Sequence, residues 1–452
     1  MDQNMTQGKV FPILIKFALP IFIGNIFQQL YNMADTLIVG RFVGDKALAA
    51  VGSTGTIMFL IFSFSTGLTS GFTVLTSQSY GAQNYKRVRH SVANAVILSV
   101  IVTIITTVLS VLSMGKILTL MSTPADIYNY AYDYIINISL GIFCSVFYNL
   151  GASILRSVGN SKIPLYFLIF SAFLNVILDL LLIIVFHMGT AGAAIATNIS
   201  QGVSAIMCFV YIVKNEPGLT PKRKDWYLSK LDTKSQLVVG IPMALQFGIT
   251  ASGTMIMQTA INHFGSAAIA AFTAASKVTN LFTQGMPAMG QTMTAYGGQN
   301  YGNGNYHRIK QGIKISCLIM LVYSIVAAVL SIALTEPAMH LFFSDASIIP
   351  SLMPWAKVYV QLCSLFYIPL SAIFIYRNMM QGCGYGMLPM IGGIIELIAR
   401  AVTANVSMVI KSYPLAAFSD PAAWIATGVY SIIVWHFLFK KIQKKNTFIQ
   451  DE

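Results

Sequence analysis

Long apolar runs, separated by short polar segments, recur along the whole chain. Runs long enough to cross about 30 Å of hydrocarbon fall at 13–39, 49–78, 92–114, 132–154, 163–186, 191–213, 237–261, 268–296, 313–335, 354–376, 386–410 and 421–439. The pattern predicts an all-α integral membrane protein of twelve transmembrane helices. The polar connections then orient them. If both termini are cytoplasmic, the inner segments carry 21 of the 28 basic residues, from Lys9 and Lys16 to Lys440, Lys441, Lys444 and Lys445, and the outer connections only Arg41, Lys46, Lys116 and Lys411. This bias obeys the positive-inside rule in all seven inner segments.

The pattern also repeats. Tyr80-Gly-Ala-Gln-Asn-Tyr85 follows the second run and Tyr296-Gly-Gly-Gln-Asn-Tyr301 the eighth, Pro20 in the first run is matched by Pro242 in the seventh, and Gly159 with Pro164 by Gly384 with Pro389. The coincidences fall in order and indicate duplication into two pseudo-symmetric six-helix lobes. Six spans, an even number, separate the copies, so both keep one orientation and are expected to be related by an axis along the membrane normal. The expected division is an N-terminal lobe at 1–213, a basic cytoplasmic linker at 214–236, and a C-terminal lobe with a cytoplasmic tail at 237–452.

Composition agrees with lipid as the solvent: 56% of residues are hydrophobic and 10% charged, too apolar for a soluble multidomain chain. The formal charge of +13 lies in short clusters between apolar runs, which fits membrane topology and not a nucleic-acid face. Cys144, Cys208, Cys317, Cys363 and Cys383 lack metal or disulfide spacing and read as small core residues. The first apolar run has no small-residue cleavage site and reads as a retained helix. Gly67-Leu-Thr-Ser-Gly71 offers a small-xxx-small packing face.

Ionisable side chains inside lipid are costly unless paired or hydrated, so each is a functional candidate. Asp35 lies about four residues before the outer end of the first span, Asp179 about seven before that of the fifth, and Asn175 one turn from Asp179 on the same face. Thr197 lies about six residues into the sixth span. At ~1.5 Å per residue these positions share one depth. Two carboxylates, an amide oxygen and a hydroxyl suit a shared proton or a monovalent cation such as Na+. Pro20 breaks the helical ladder of the first span and offers a hinge. Gln28, Gln29 and Asn32 are expected to face the interior as cavity walls, and Met257, Met286, Met289 and Tyr367 either to give the second lobe adaptable surfaces for varied apolar substrates or to pack in its core. The second lobe lacks matching acids: Met257 stands at the place of Asp35 and Arg400 at that of Asn175, with Glu396 one turn from Arg400 as a candidate internal pair. A membrane enzyme is disfavoured by scattered histidines and the lack of metal spacing, serine elbow or phosphate loop. A receptor would leave the paired acids without a purpose.

Gln28-Gln-Leu-Tyr-Asn-Met-Ala-Asp-Thr-Leu-Ile-Val-Gly-Arg41, Leu155-Arg-Ser-Val-Gly-Asn-Ser-Lys162 and Asn175-Val-Ile-Leu-Asp179 resemble the multidrug and toxic compound extrusion (MATE) family, and within it the bacterial DNA-damage-inducible protein F-like branch. The resemblance covers essentially the whole chain. It implies antiport of cationic or amphipathic organic compounds, drugs included, against H+ or Na+. It also implies a coupling ion held by Asp35, Asn175, Asp179 and Thr197, and a bend of the first span near Pro20. The expected setting is the bacterial cytoplasmic membrane, with small organic molecules and lipid as partners, no nucleic acid, no cofactor besides the ion, and a functional monomer. A flippase for lipid-linked saccharides or phospholipids is the alternative, although a large anionic head would favour more basic cavity residues than Lys277, Lys357 and Arg400.

Overall fold

Lipid offers the backbone no hydrogen bonds, so each apolar run must satisfy its own by coiling into a helix. The computed structural model describes residues 4–121, 123–343 and 346–450; the outer limits of the expected lobes, Met1 and Glu452, lie outside them. Among the described residues every regular element is helical, and helix occupies all twelve expected spans in order. In the first half these are α1 (Val10–Phe42), α2 (Asp45–Gly81), α3 (Tyr85–Leu120), α4 (Ala125–Leu140) with α5 (Ile142–Ser157), α6 (Lys162–Leu180) running into a π-helical turn Leu181–Val185, and α7 (Gly189–Asn215). In the second they are α8 (Lys230–Asn262), α9 (Ser266–Thr283) with α10 (Gly285–Gly302), α11 (Tyr306–Ala333), the short α12 (Thr335–Phe342), α13 (Ile349–Leu365) with α14 (Tyr367–Gly382), α15 (Met387–Val409), the short α16 (Tyr413–Ala417) and α17 (Ser419–Gln450). The protein is a multi-pass membrane protein: among the described residues nine helices are long and apolar enough to cross a bilayer, or eleven when the bent pairs α4/α5 and α13/α14 are each one span.

Three expected spans are thus broken. The fourth bends by 47° and the tenth by 48°. At Gly141 the reason is close approach, because a Cβ there would lie 1.9 Å from the Asn198 side chain, whose amide donates to the Asn137 carbonyl at 2.7 Å. In the eighth span Tyr323 bridges the break, its hydroxyl donating to the Phe282 carbonyl at 2.8 Å and accepting from the Gly285 amide at 3.0 Å.

By internal packing the chain forms two compact units, one chiefly Leu19–Phe247 and the other Met5–Ala18 with Gly248–Glu452. The basic segment 214–236 and the first half of α8 therefore belong with the first unit, and the start of α1 with the second. In the first unit the expected glycine face of α2 packs directly on α8. A Cβ on Gly71 would stand 2.3 Å from the Gly240 Cα, and one on Gly67 2.8 Å from the Met243 carbonyl oxygen.

Polar groups fix the cytoplasmic end of that contact. Asp232 accepts from Arg87 Nη2 at 2.9 Å and lies 2.8 Å from His90 Nδ1; Asp225 lies 3.5 Å from Arg89 Nε. Asn94 donates to Gln236 at 2.6 Å. The segment expected as a linker is therefore pinned to α3. Because Arg87 is 42% exposed, removing its partner costs less than the about 3–5 kcal/mol of an enclosed pair. Asp232→Ala is expected to cost about 2 kcal/mol and to open 214–236 to limited proteolysis, whereas an unchanged cleavage rate would show that the pin is dispensable.

The second unit has a counterpart. Arg308 donates to the carbonyls of Met5 at 3.0 Å, Gln7 at 3.2 Å and Gly8 at 2.8 Å, holding the segment that enters α1. The repeated Gln-Asn-Tyr motifs differ in what they cap. Asn84 accepts from the Arg87 amide at the start of α3, but in the second copy the helix continues past Asn300, and Asn305 accepts from the Arg308 amide. Asn300 turns instead to Met5 and Arg308.

Candidate functional site

The site lies wholly within the first unit, where α1, α4, α6 and α7 bring polar side chains into an apolar interior. Asp35 is seven residues from the end of α1, Asp179 six from the end of the π-helical turn, and Thr197 eight into α7, which at ~1.5 Å per residue is roughly 9–12 Å of helix in each case. Asp35 thus sits deeper in its helix than the four residues counted from the sequence, because α1 runs on to Phe42, and the three positions still lie at similar distances from their helix ends. Asp35 is 7% exposed, Asp179 and Asn175 0%, and Thr197 4%.

The carboxyls of Asp35 and Asp179 lie within side-chain hydrogen-bond range of each other. Two ionised carboxylates cannot bond; they hold together only around a shared proton or a cation. Tyr134 donates to Asp35 Oδ2 at 3.4 Å, while the buried Oδ1 of Asp35 receives no hydrogen bond. Asn175 donates to Thr197 Oγ1 at 3.4 Å, and Tyr31 donates to the same oxygen at 3.2 Å. The four expected residues are brought together, and two tyrosines that sequence reasoning missed complete the enclosure. Tyr31 carried a signal, since it precedes Asp35 by one turn and so shares its face. Immediately after Asp179 the helix winds into the π-helical turn, a geometry frequent at functional sites because it re-aims side chains without ending the helix.

The expected cavity residues divide. Gln28 is half-buried and donates to Asn32 at 3.5 Å, and Gln29 and Asn32 are exposed, so all three remain accessible. Met257, Met286, Met289 and Tyr367 do not form an accessible wall: they are 3%, 0%, 2% and 0% exposed in the packed interior of the second unit. Flexible thioethers fill irregular core gaps as readily as they line cavities, and the Tyr367 hydroxyl is taken up by Ser331 at 3.2 Å. Pro20 is buried within an otherwise continuous α1. Lys277 lies over the Phe342 ring at 5.4 Å, and Lys357 meets Glu336 at 3.5 Å in an exposed pair.

The expected Glu396–Arg400 pair is present with a third member. Arg400 donates from Nη1 to Glu396 Oε1 at 2.7 Å and from Nε to Asp420 Oδ1 at 2.8 Å. Tyr359 donates to Asp420 Oδ2 at 3.2 Å.

The MatE family model matches residues 20–181 and 242–406, one stretch in each half. "Probable multidrug resistance protein YpnP" of Bacillus subtilis (strain 168) is 28% identical over 439 residues, covering 96% of this chain and 94% of that protein. "Probable multidrug resistance protein NorM" of Thermotoga maritima is 27% identical over 436 residues, covering 94% and 90%. A solved structure described as the outward-facing conformation of a multidrug resistance MATE family transporter of the MOP superfamily superposes with a TM-score of 0.91 over 97% of this chain and 98% of that one, at 21% identity. At that identity the likeness is one of fold: two lobes of six helices.

Proposed function

The chain belongs to the MATE family, and from that premise we propose that it is a cation-coupled antiporter, driven by H+ or Na+, that exports organic cations and amphipathic compounds, drugs among them. The observation that carries the reading is the pair of buried carboxylates, Asp35 and Asp179, facing each other inside the first unit. An acid pair in a low-dielectric interior is expensive and is kept where its charge is used.

The proposed cycle follows from these residues. With no ion, Asp35 and Asp179 repel, and Tyr134 stabilises the Asp35 charge by donation. A proton or Na+ entering between them removes the repulsion, with Asn175 and Thr197 supplying neutral oxygens beside it. The change is felt along α1, which carries Asp35 on the same helix as Pro20. Proline donates no hydrogen bond to the carbonyl one turn back, here that of Lys16, so α1 bends there at low cost. An ion that binds one form of α1 better shifts the equilibrium by its differential affinity and no more.

The proposed setting is the bacterial cytoplasmic membrane with both termini inside, a functional monomer, and no cofactor besides the ion. The test is efflux of a fluorescent organic cation from proteoliposomes, with a proton gradient and a Na+ gradient imposed separately. Acceleration under one of them is the expected result. No gradient-dependent efflux of any cation tried would overturn the reading and turn attention to lipid-linked substrates.

A further inference from the structure

The buried ionic cluster of the second unit occupies the repeat of the ion site in the first. Tyr134 and Tyr359, Asn175 and Arg400, and the landmark glycines Gly159 and Gly384 are each 225 residues apart. The equivalence is functional in geometry: each tyrosine hydroxyl donates to a buried carboxylate, Tyr134 to Asp35 at 3.4 Å and Tyr359 to Asp420 at 3.2 Å. The acids themselves differ in origin. Ala404 stands 225 residues beyond Asp179, and the second unit draws its carboxylates from Glu396, one turn before Arg400, and from Asp420 at the start of α17.

Between those carboxylates sits a guanidinium. Glu396, Arg400 and Asp420 are 4%, 3% and 7% exposed, and one face of the arginine lies against α8, where a Cβ on Gly253 would come within 3.1 Å of Nη1. The glycine makes room for it. Arg377 of α14 interacts electrostatically with Glu396 and adds a second positive charge to the surroundings of the two acids.

We propose that this is a cation site whose cation is the chain's own Arg400, and that Arg400 thereby confines exchangeable ion binding to the first unit. The inference rests on the ion-site reading of Asp35 and Asp179. A tethered guanidinium engages its carboxylates intramolecularly, and it does not lose its proton in proteins. The second site is therefore permanently filled, and the lobe carries no ion across the cycle. Removing the side chain leaves a site of the same charge and shape for a small cation, with free guanidinium the best fit to the fork of oxygens.

The first experiment uses purified full-length protein and reads its melting temperature. Arg400→Ala is expected to melt at a higher temperature in millimolar guanidinium chloride than in KCl of equal ionic strength, because a ligand of the folded state stabilises it by mass action. Wild type and Arg400→Lys are expected to show no such difference. In an Asp35→Asn/Asp179→Asn background, which should take up no ion, adding Arg400→Ala is expected to restore uptake of about one cation per chain, the single site proposed. A folded Arg400→Ala protein indifferent to guanidinium and to every small cation tried would overturn the proposal. If Arg400→Ala is recovered only with guanidinium present during purification, that dependence supports it. If it is not recovered at all, the uncharged triple variant Arg400→Met/Glu396→Gln/Asp420→Asn decides: wild-type ion dependence of efflux supports the proposal, and altered ion stoichiometry defeats it. Failure of wild-type efflux to respond to any gradient would sink the exporter reading instead, and the guanidinium response is scored independently of that.

Discussion

Asp35→Asn and Asp179→Asn, each in a chain that still folds and inserts, are expected to lose gradient-driven efflux. The asparagine keeps the shape of the side chain and removes the charge whose neutralisation is the proposed signal. Coupling free energies between sites are commonly 1–3 kcal/mol, so the ratio of efflux with and without the gradient should fall by about 5- to 150-fold. Substrate binding, measured by fluorescence of the same organic cation without a gradient, should change far less. Gradient dependence equal to wild type in both reconstituted variants would remove the two carboxylates from the coupling step. Tyr134 should behave differently, because its hydroxyl supports the charge without carrying it: Tyr134→Phe is expected to shift the pH or Na+ dependence of efflux while leaving the process coupled.

The other large effect concerns packing. At the α2–α8 crossing the helices approach until the backbone of one meets the backbone of the other, with no side chain between Gly71 and Gly240. Overpacking a core costs typically 1–3 kcal/mol when neighbours can shift. Here the neighbour is a Cα atom, which cannot rotate away. Gly71→Leu is therefore expected to exceed that range and to abolish the monodisperse folded protein, with Gly71→Ala intermediate. The check is the yield and melting temperature of the purified variants in detergent, and a Gly71→Leu protein as stable as wild type would show that the close crossing is not required.

The twelve spans were legible because lipid imposes a crude rule, a long apolar run, that a sequence displays directly. Their breaks were not. Gly141 looks like any packing glycine until Asn198 is seen filling the space in front of it, and Phe366 gives no sign at all within an apolar run. Asp35, Asn175, Asp179 and Thr197 could be placed at one depth by counting residues from span ends, since a helix rises uniformly. Tyr134 could not, because with 21 tyrosines in the chain and a bilayer interface that attracts them, only the fold distinguishes the one that touches Asp35. Asp420 escaped for a similar reason: its place beside Arg400 depends on α15 packing against α17, which no local pattern encodes. For the methionines and Tyr367 the sequence leaves cavity and core open, because soft or aromatic side chains have the same chemistry in both, and only the packing selects the core.

The division of α8 between the units bears on how the protein is made. Synthesis proceeds at ~5–20 residues per second, so after Asn215 leaves the ribosome roughly two to six seconds pass before Phe247 follows. During that interval the glycine face at Gly67 and Gly71 has no partner, and Arg87 and His90 await Asp232. The earlier lobe is completed by a piece of the later one, and the opening turns of α1 wait longer still, until Arg308 has been translated.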